Sequence, residues 1–402
     1  MVQKLVKQDK IADHYIIQDE IDDIKGSVAR VYAVEDLQGK TKQRNPAFKV
    51  LRHEHLELPE TRRAEKYEAF NREAELLYLL RDNPHVMGIY GLGYLKEPST
   101  NPDHQYEVVE DFLRKELNEK TIKQFRSLQS EAMANGWRPY LILECLPKKN
   151  SLQYLLTRNM KMEKHGRNFR LPMFEALELT LQLADLLVKL HHQDIIYWDA
   201  KPAHAYWNGQ KLVLIDWNVS YPLTPENMKR AGGGSETELK ELDVLILGRR
   251  FIYPAFIGRD FRGVPLESQA TPYGSIVKEM HAFFYQGEVS LHGYEDKLDA
   301  PVREFLSRVV QSDQFESAEQ LRTSLRRSVA TLGWPVENEP TNEKMSQYYE
   351  KKKRIIANLR TSHEALQEAW WEVRELHKEF PGEDTKYLFN HIRELFKLSE
   401  IP

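Results

Sequence analysis

Hydrophobic and polar positions in the first third of the chain follow patterns that are typical of strands. β-Branched and aromatic residues surround the sequence KGSVAR within Tyr15–Val34, which predicts two strands joined by a tight glycine-containing turn. PAFKVLR, at Pro46–Arg52, predicts a third strand, and HVMGIYGLGYL and RPYLILECLP predict two more. A small sheet is therefore expected before Pro147.

Helical periodicity follows the third strand and dominates the chain beyond Pro147. EKYEAFNREAELLYLL places apolar residues three and four positions apart, at Tyr67, Phe70, Ala74, Leu77 and Leu80. LPMFEALELTLQLADLLVKLHH predicts a long helix with a broad apolar stripe, and LKELDVLILGRRFI is apolar on nearly all sides, as in a buried helix. The stretch from about Lys96 to Gly136 is charged and partly helical and is interpreted as an insertion.

A different pattern begins after the proline-containing connector WPVENEPTNE. With Lys352 and Ser362 as imperfect members, apolar or small residues recur at alternating steps of three and four, the period of a coiled-coil seam: Met345, Tyr348, Ile355, Leu359, Leu366, Ala369, Val373, Leu376 and Phe380. Three arrangements satisfy this pattern: a long helix packed on its own domain, a helical hairpin, or a seam between two copies of the chain. GEDTKYLFNHIRELFKL predicts a short returning helix.

Composition is typical of a soluble globular protein with two or three packed units, since the 402 residues are 41% hydrophobic and 29% charged. No apolar run is long enough to cross a bilayer, and MVQKLVKQDK has no signal-peptide features, so we expect a cytoplasmic protein without a membrane partner. The single Cys145 excludes an internal disulfide and a cysteine-rich metal site. The net charge of -4 gives no general attraction to nucleic acid, and no such partner is expected.

The first candidates for functional residues are two aspartates, Asp199 and Asp216. Both lie in the apolar stretch IIYWDAKPAHAYWNGQKLVLIDWNVS. Burying a carboxylate is costly unless a cation, a donor or a metal compensates it, so each needs a partner. Lys49 lies mid-strand and needs an anion, which Glu73 on the following helix can supply. A lysine held by a glutamate beside a glycine turn is suited to binding phosphate oxygens. One aspartate can then hold a metal that bridges phosphates, and the other can accept a hydroxyl proton.

In this order the residues resemble the eukaryotic-type Ser/Thr protein kinase family over about Tyr15–Gly333. IKGSVARVY corresponds to the glycine-rich loop G-x-G-x-x-G-x-V, which implies nucleotide contacts by Gly26 and Val31. YLILECLPKKNSL corresponds to the hinge, which implies Leu143 as gatekeeper and the backbone of Glu144 to Leu146 facing adenine. The resemblance thus implies ATP as the nucleotide.

The charged residues of the family also have counterparts. PAFK matches V-A-x-K, which implies that Lys49 binds phosphate, and NREAELLYLL matches the following helix, which implies Glu73 as its ion-pair partner with Glu75 as a nearby alternative. LHHQDIIYWDAKPAH matches L-H-x-x-x-I-I-H-R-D-L-K-P-x-N. This match implies Asp199 as the catalytic base and Lys201 as the group that neutralises the transferring phosphoryl.

The metal ligand and the brace of the catalytic loop follow from two further matches. LIDWN corresponds to D-F-G and implies Asp216 as the ligand of Mg²⁺ or Mn²⁺, and LDVLILG implies that Asp243 braces the catalytic loop. QFESAEQL resembles the R-F-x-S-A-x-E-L stretch near the end of the family's fold. His204 stands at the position of the second metal ligand, normally Asn, and a structural histidine is favoured there over a metal ligand, because imidazole replaces an oxygen donor poorly.

Other departures from the family pattern concern regulation and the segment that docks a peptide substrate. Trp198 replaces the Arg that pairs with a phosphorylated activation loop, and Trp217 and Asn218 replace the Phe and Gly of D-F-G. Asp216 and Asp243 lie only 27 positions apart, with no A-P-E between them. The segment that docks a peptide substrate has therefore been rebuilt.

The expected fold class is α+β, in a bilobal protein-kinase-like arrangement with a C-terminal helical extension. The expected boundaries are 12–147 for the small lobe, with an insertion at about 96–136, 148–333 for the helical lobe, and 341–402 for the extension, a possible coiled coil. The leading function is an ATP-dependent Ser/Thr protein kinase. The alternatives are a pseudokinase that acts as a scaffold or allosteric regulator through its insertion and C-terminal helices, and a kinase-like enzyme with a small-molecule substrate. The expected partners are a protein substrate or regulatory protein and, through the C-terminal helix, a second copy of the chain.

Overall fold

The protein is a mixed α+β chain that divides into two compact units. The computed structural model describes residues 4–12, 14–21, 28–39, 41, 46–96, 105–109, 117–157, 171, 173–230, 234–259, 298–311, 314–331, 351, 354–355 and 363–379. The first unit is Met1–Pro147 with Ile215–Tyr221, and the second is Lys148–Leu214 with Pro222–Pro402. Among the helices of these ranges, none combines the length and the apolar character needed to cross a membrane.

An eight-stranded sheet forms the larger part of the first unit. Its strands are β1 (Lys10–Ile11), β2 (Tyr15–Glu20), β3 (Ala29–Asp36), β4 (Ala47–Leu51), β5 (Ile89–Leu95), β6 (Gln105–Tyr106), β7 (Val108–Val109) and β8 (Arg138–Leu143). The spatial order is β6-β1-β2-β3-β4-β8-β5-β7, with only the β1–β6 pair parallel among the described pairs. Because one residue, Glu107, separates the edge strands β6 and β7, the sheet curls until its edges meet.

The five strands expected from the alternation of apolar residues are all present, as β2, β3, β4, β5 and β8. The turn between β2 and β3, which was expected to carry Gly26, lies outside the described residues. One face of the sheet carries an apolar cluster that includes Ile17, Val34, Phe48 and Ile142. Alternation therefore directs the intervening residues of β4 and β8 to the opposite face.

The α-helices described beside the sheet are α1 (Glu60–Leu79), α2 (Glu119–Ser127) and α3 (Gln129–Asn135). The last two lie in the stretch expected as an insertion, and they bury Ile122, Phe125 and Ala132. The Phe125 ring stacks on Tyr94 of β5 at 4.8 Å between centroids, and the Tyr94 hydroxyl donates to the Phe125 carbonyl at 2.9 Å. The charged sequence of this stretch thus conceals apolar contacts with the sheet.

The second unit is mainly helical. Its helices are α4 (Leu152–Thr157), α5 (Met173–His192), α6 (Pro225–Arg230), α7 (Glu236–Leu247), α8 (Tyr253–Ile257), α9 (Ala300–Val309), α10 (Ala318–Thr331) and α11 (His363–Glu379). Short strands are β9 (Ile195–Ile196), β10 (Ala205–Trp207) and β11 (Leu212–Leu214), and β12 (Tyr221–Pro222) falls at the junction of the units. The long helix predicted from its apolar stripe is α5, and the predicted all-apolar helix is α7, whose residues from Leu242 to Leu247 are all buried.

The segment Ile215–Tyr221 belongs to the first unit, although the residues on either side of it in the sequence belong to the second. The reason is a set of polar contacts to the first unit, because Asp216 binds Lys49 and the Asn218 carbonyl accepts from Arg72. Such long-range contacts leave no periodic pattern in the sequence.

The described part of the C-terminal stretch packs within the chain. Four positions of the predicted seam are buried in the single chain: Ile355, Ala369, Val373 and Leu376. Ion pairs join Lys351 to Glu379 and Arg354 to Glu372, each at 2.6 Å, so Lys351 and Arg354 contact α11 in antiparallel order. This direction is that of a helical hairpin. Met345, Tyr348, Leu359, Phe380 and the side chain of Leu366 lie outside the described residues, and the seam between two copies stays a prediction.

A π-helical turn, Gly248–Ile252, links α7 to α8 and packs against the end of α9. A Cβ placed on Gly248 would lie 2.7 Å from both the carbonyl oxygen and Cγ1 of Val309. Nearby, Arg249 Nε donates to the Val310 carbonyl at 2.7 Å, so the α9 terminus is fixed against this turn. Only a residue without a side chain fits this approach.

Gly248→Ala should therefore destabilise the protein by about 1–3 kcal/mol, although alanine is the better helix former. The free energy of unfolding from urea denaturation measures this effect. Gly234→Ala is the matched control, because its Cβ would have no neighbour closer than 3.5 Å. Equal unfolding free energies for the two variants would contradict the described packing of α9.

Candidate functional site

Lys49 lies on the sheet face opposite to the apolar cluster, because Phe48 and Val50 on either side of it are directed into that cluster. The register places Val31 of β3 and Leu141 of β8 directly opposite Lys49 on its two neighbouring strands. Residues that face each other across paired strands share one face of a sheet. Val31 and Lys49, both expected at a nucleotide site, thus lie on the same face.

Two carboxylates hold the Lys49 ammonium. Nζ donates to Oε1 and Oε2 of Glu73 at 2.9 and 2.8 Å and to Oδ1 of Asp216 at 2.6 Å. The side chains of Lys49 and Glu73 are 7% and 0% exposed, whereas that of Asp216 is 25% exposed. Glu75, the alternative partner, binds Arg126 at 2.8 Å instead. Three residues expected to share a phosphate site are therefore joined through the Lys49 ammonium.

The charge of Lys49 is stabilised by these contacts. Burial by itself lowers the pKa of the ammonium, but the charges of Asp216 and Glu73 outweigh burial and raise the pKa above its usual range. Burial raises the pKa of the Glu73 carboxyl, and the charge of Lys49 opposes that effect. A protonated lysine is thus present at neutral pH beside an aspartate that is partly open to solvent.

The segment that carries Asp216 is bound to α1 through its main chain. Asp216 has a φ of 61°, in the left-handed region, and the Trp217 N–H donates to Glu73 Oε1 at 3.3 Å. Arg72 donates from Nε and Nη2 to the Asn218 carbonyl at 3.2 and 2.6 Å. Arg72 is not predicted as a functional residue from the sequence, since an arginine bound to a backbone carbonyl leaves no motif. Its position next to Glu73 was the one available signal.

The residues expected at the hinge follow β8. Leu143 is buried and pairs with Ala47 of β4. The Glu144 N–H donates to the Gly88 carbonyl at 2.8 Å, and Glu144 Oε2 accepts the Gly88 N–H at 3.1 Å. Leu146 is half-buried. The chain after β8 is thus fixed on the side of Gly88.

In the second unit, the candidate base Asp199 forms a compact cluster with Lys201 and His204. Lys201 Nζ lies 2.7 Å from Asp199 Oδ1 and 3.1 Å from Oδ2. His204 Nδ1 lies 3.0 Å from the Asp199 carbonyl oxygen. Because a carbonyl oxygen only accepts, Nδ1 carries the proton and cannot ligate a metal. A metal role for His204 therefore depends on Nε2.

Asp243 of α7 braces the strand that leads to Asp199. Its carboxylate accepts the N–H of Tyr197 at 3.1 Å and of Trp198 at 2.9 Å, and its Oδ2 lies 3.1 Å from His191 Nε2. The Asp199 N–H donates to the Tyr197 carbonyl at 2.8 Å, which closes a γ-turn centred on Trp198. Trp198 has a φ of 66°, and a γ-turn with a positive φ at its central residue is rare and strained. A strained turn persists where its surroundings over-determine it, and Asp243 supplies that restraint.

Asp243→Ala should lower the free energy of unfolding by about 2–5 kcal/mol, because it leaves two buried N–H groups without their acceptor. Denaturant titration measures the loss. The matched control is Asp185→Ala, which removes a partly exposed carboxylate paired with Arg322 at 3.4 Å. That variant should lose at most about 1 kcal/mol, and a similarly small loss for Asp243→Ala would contradict the brace.

Comparison with known proteins assigns no family to the chain. A scan of the sequence against models of protein families gave no match, and a search of curated proteins gave none either. The interpretation of the Lys49 and Asp199 clusters therefore depends on their own geometry and charge.

Proposed function

We propose that the chain is an ATP-dependent phosphotransferase that acts on serine or threonine hydroxyls of a protein, with a bilobal protein-kinase-like arrangement. The observation that carries this proposal is the buried ammonium of Lys49, held by Glu73 and Asp216. The three residues come from distant parts of the chain. A lysine, a buried glutamate and a partly exposed aspartate together suit a polyphosphate and its metal.

The Lys49 cluster has more negative charge than a structural ion pair requires. Glu73 binds the ammonium through both oxygens and is fully buried, so it is sufficient to anchor Lys49. Asp216 binds through Oδ1, and a quarter of its side chain is exposed. Its carboxylate can therefore exchange Lys49 for a cation from solvent, which would release one N–H of Lys49 for a phosphate oxygen.

The sheet face around Lys49 supports adenine binding. Ala33 of β3 pairs with Ala47 of β4, which in turn pairs with Leu143 of β8. This row is two residues along from Val31 and Lys49 and shares their face. Two small alanine side chains beside Leu143 offer an apolar surface with room for a planar base.

The donor set at Asp216 fits a magnesium ion. Carboxylate oxygens are the ligands that magnesium prefers, and manganese accepts the same set. When bound, the metal would supply positive charge that stabilises the negative charge of the phosphates. The His204 nitrogen is a poor substitute for an oxygen ligand, so Asp216 is the residue we assign to the metal.

Asp199 and Lys201 would carry out the remaining steps. Asp199 accepts the proton of the attacking hydroxyl, and Lys201 neutralises charge on the transferring phosphoryl group. Their ion pair of 2.7 Å keeps the two groups adjacent. Asp243 orients both of them indirectly, because it fixes the main chain of the preceding residues.

A pseudokinase is the second candidate, favoured by the position of His204. Its Nδ1 donates to the Asp199 carbonyl, so the ring braces the loop where the family has an amide oxygen ligand. A chain that binds nucleotide with one metal ligand fewer can act on a regulatory protein partner without phosphoryl transfer. Turnover distinguishes the two candidates.

Asp216→Asn should remove the magnesium-dependent part of ATP binding. Thermal stabilisation by ATP, with and without magnesium or manganese, measures it, since a ligand at 100 times its Kd adds about 2.7 kcal/mol. Glu75→Gln is the control on the same unit, because Glu75 contacts Arg126 away from Lys49, and it should respond like wild type. Retained metal dependence in Asp216→Asn would contradict the role of Asp216.

Asp199→Asn should reduce phosphate transfer from labelled ATP by about 10²–10⁴-fold, because it removes the general base. ATP affinity, measured by thermal shift, should stay near the wild-type value. Asp185→Asn controls for loss of an acidic group elsewhere in the second unit. Absence of transfer by the wild-type chain, together with metal-dependent ATP binding, would favour the pseudokinase.

A further inference from the structure

Arg72 of α1 contacts the segment that carries the proposed metal ligand. Its guanidinium directs Nε and Nη2 at one oxygen, the Asn218 carbonyl, at 3.2 and 2.6 Å. The planar fork of arginine allows two parallel donors, which a lysine cannot provide in the same geometry. The contact therefore fixes both the distance and the orientation of this carbonyl.

Three consecutive residues of the segment each bind a different side chain of β4 or α1. Lys49 holds the Asp216 carboxylate, Glu73 accepts the Trp217 N–H, and Arg72 donates to the Asn218 carbonyl. Arg72 and Glu73 are adjacent on α1, so one helix binds both a donor and an acceptor of the same main chain. The position of α1 thereby sets the position of Asp216.

The backbone of the segment explains why such a restraint is needed. Asp216 has a φ of 61°, which is unfavourable for a residue with a side chain, and Asn218 stands where the family resemblance has glycine. The Ser220 N–H donates to the Trp217 carbonyl at 3.1 Å and closes the following turn. Strained backbone of this kind persists only when its surroundings enforce it.

We infer that Arg72 is a positioning residue for metal binding by Asp216. This inference deepens the proposed function and rests on it. Arg72 acts through the main chain of Asn218, which keeps the Asp216 carboxylate oriented toward the metal position. Residues that orient a metal ligand typically change metal affinity by about 10–100-fold when they are removed.

The test compares Arg72→Gln and Arg72→Lys with wild type in the full chain. Arg63→Gln is the matched control, because Arg63 lies on the same helix and donates to the Leu56 carbonyl at 3.2 Å. The first measurement is hydrogen exchange of the amides in 215–221. The second is the magnesium concentration that gives half of the metal-dependent thermal shift with ATP.

In Arg72→Gln, exchange in 215–221 should accelerate by about tenfold or more. The half-maximal magnesium concentration should rise by about 10–100-fold. Arg72→Lys should fall between this variant and wild type, and Arg63→Gln should match wild type in both measurements. A purely structural role would change exchange and global stability without changing the magnesium requirement.

An unchanged magnesium requirement in Arg72→Gln, with a wild-type chain that responds to magnesium, overturns the inference and leaves the proposed function intact. Equal changes in Arg72→Gln and Arg63→Gln also overturn it, since they would report a general loss of stability. A wild-type chain without metal-dependent ATP binding overturns the proposed function, and the positioning role of Arg72 with it.

Discussion

The ion pair of Lys49 with Glu73 is the interaction on which the first unit depends. A buried ammonium is tolerated only where opposite charge reaches it, and removal of one member of such a pair typically costs about 3–5 kcal/mol. Because Lys49 belongs to β4 and Glu73 to α1, the pair requires α1 to pack over one face of the sheet. The third member, Asp216, draws Ile215–Tyr221 into the same unit.

In both units, a carboxylate on a helix restrains a strained stretch of backbone. Asp216 and Trp198 have φ values of 61° and 66°, and in each case a carboxylate on a helix accepts nearby main-chain N–H groups. Glu73 accepts from Trp217, and Asp243 accepts from Tyr197 and Trp198. A fixed negative charge on a helix is a rigid acceptor, so the turn beside it is positioned without help from a ligand.

This arrangement does not depend on the side chains of the turns themselves. Trp198 and Asn218 take part through their backbone N–H and carbonyl groups. Backbone groups are the same whichever side chain is present. His204 is different, because its imidazole itself binds the Asp199 carbonyl. This contact therefore depends on the identity of the side chain at His204.

The sequence by itself determined the strands, the long helices and the need of Lys49 for an anion, because periodicity and the cost of a buried charge are local properties. Tertiary structure alone decided that Glu73 and not Glu75 meets Lys49, and that Arg72 binds the Asn218 carbonyl 146 positions away. It also decided that Lys351 and Arg354 contact the helix at 363–379 in antiparallel order. A pattern of apolar positions shows which face is buried but not what covers it, and a backbone acceptor has no sequence signature.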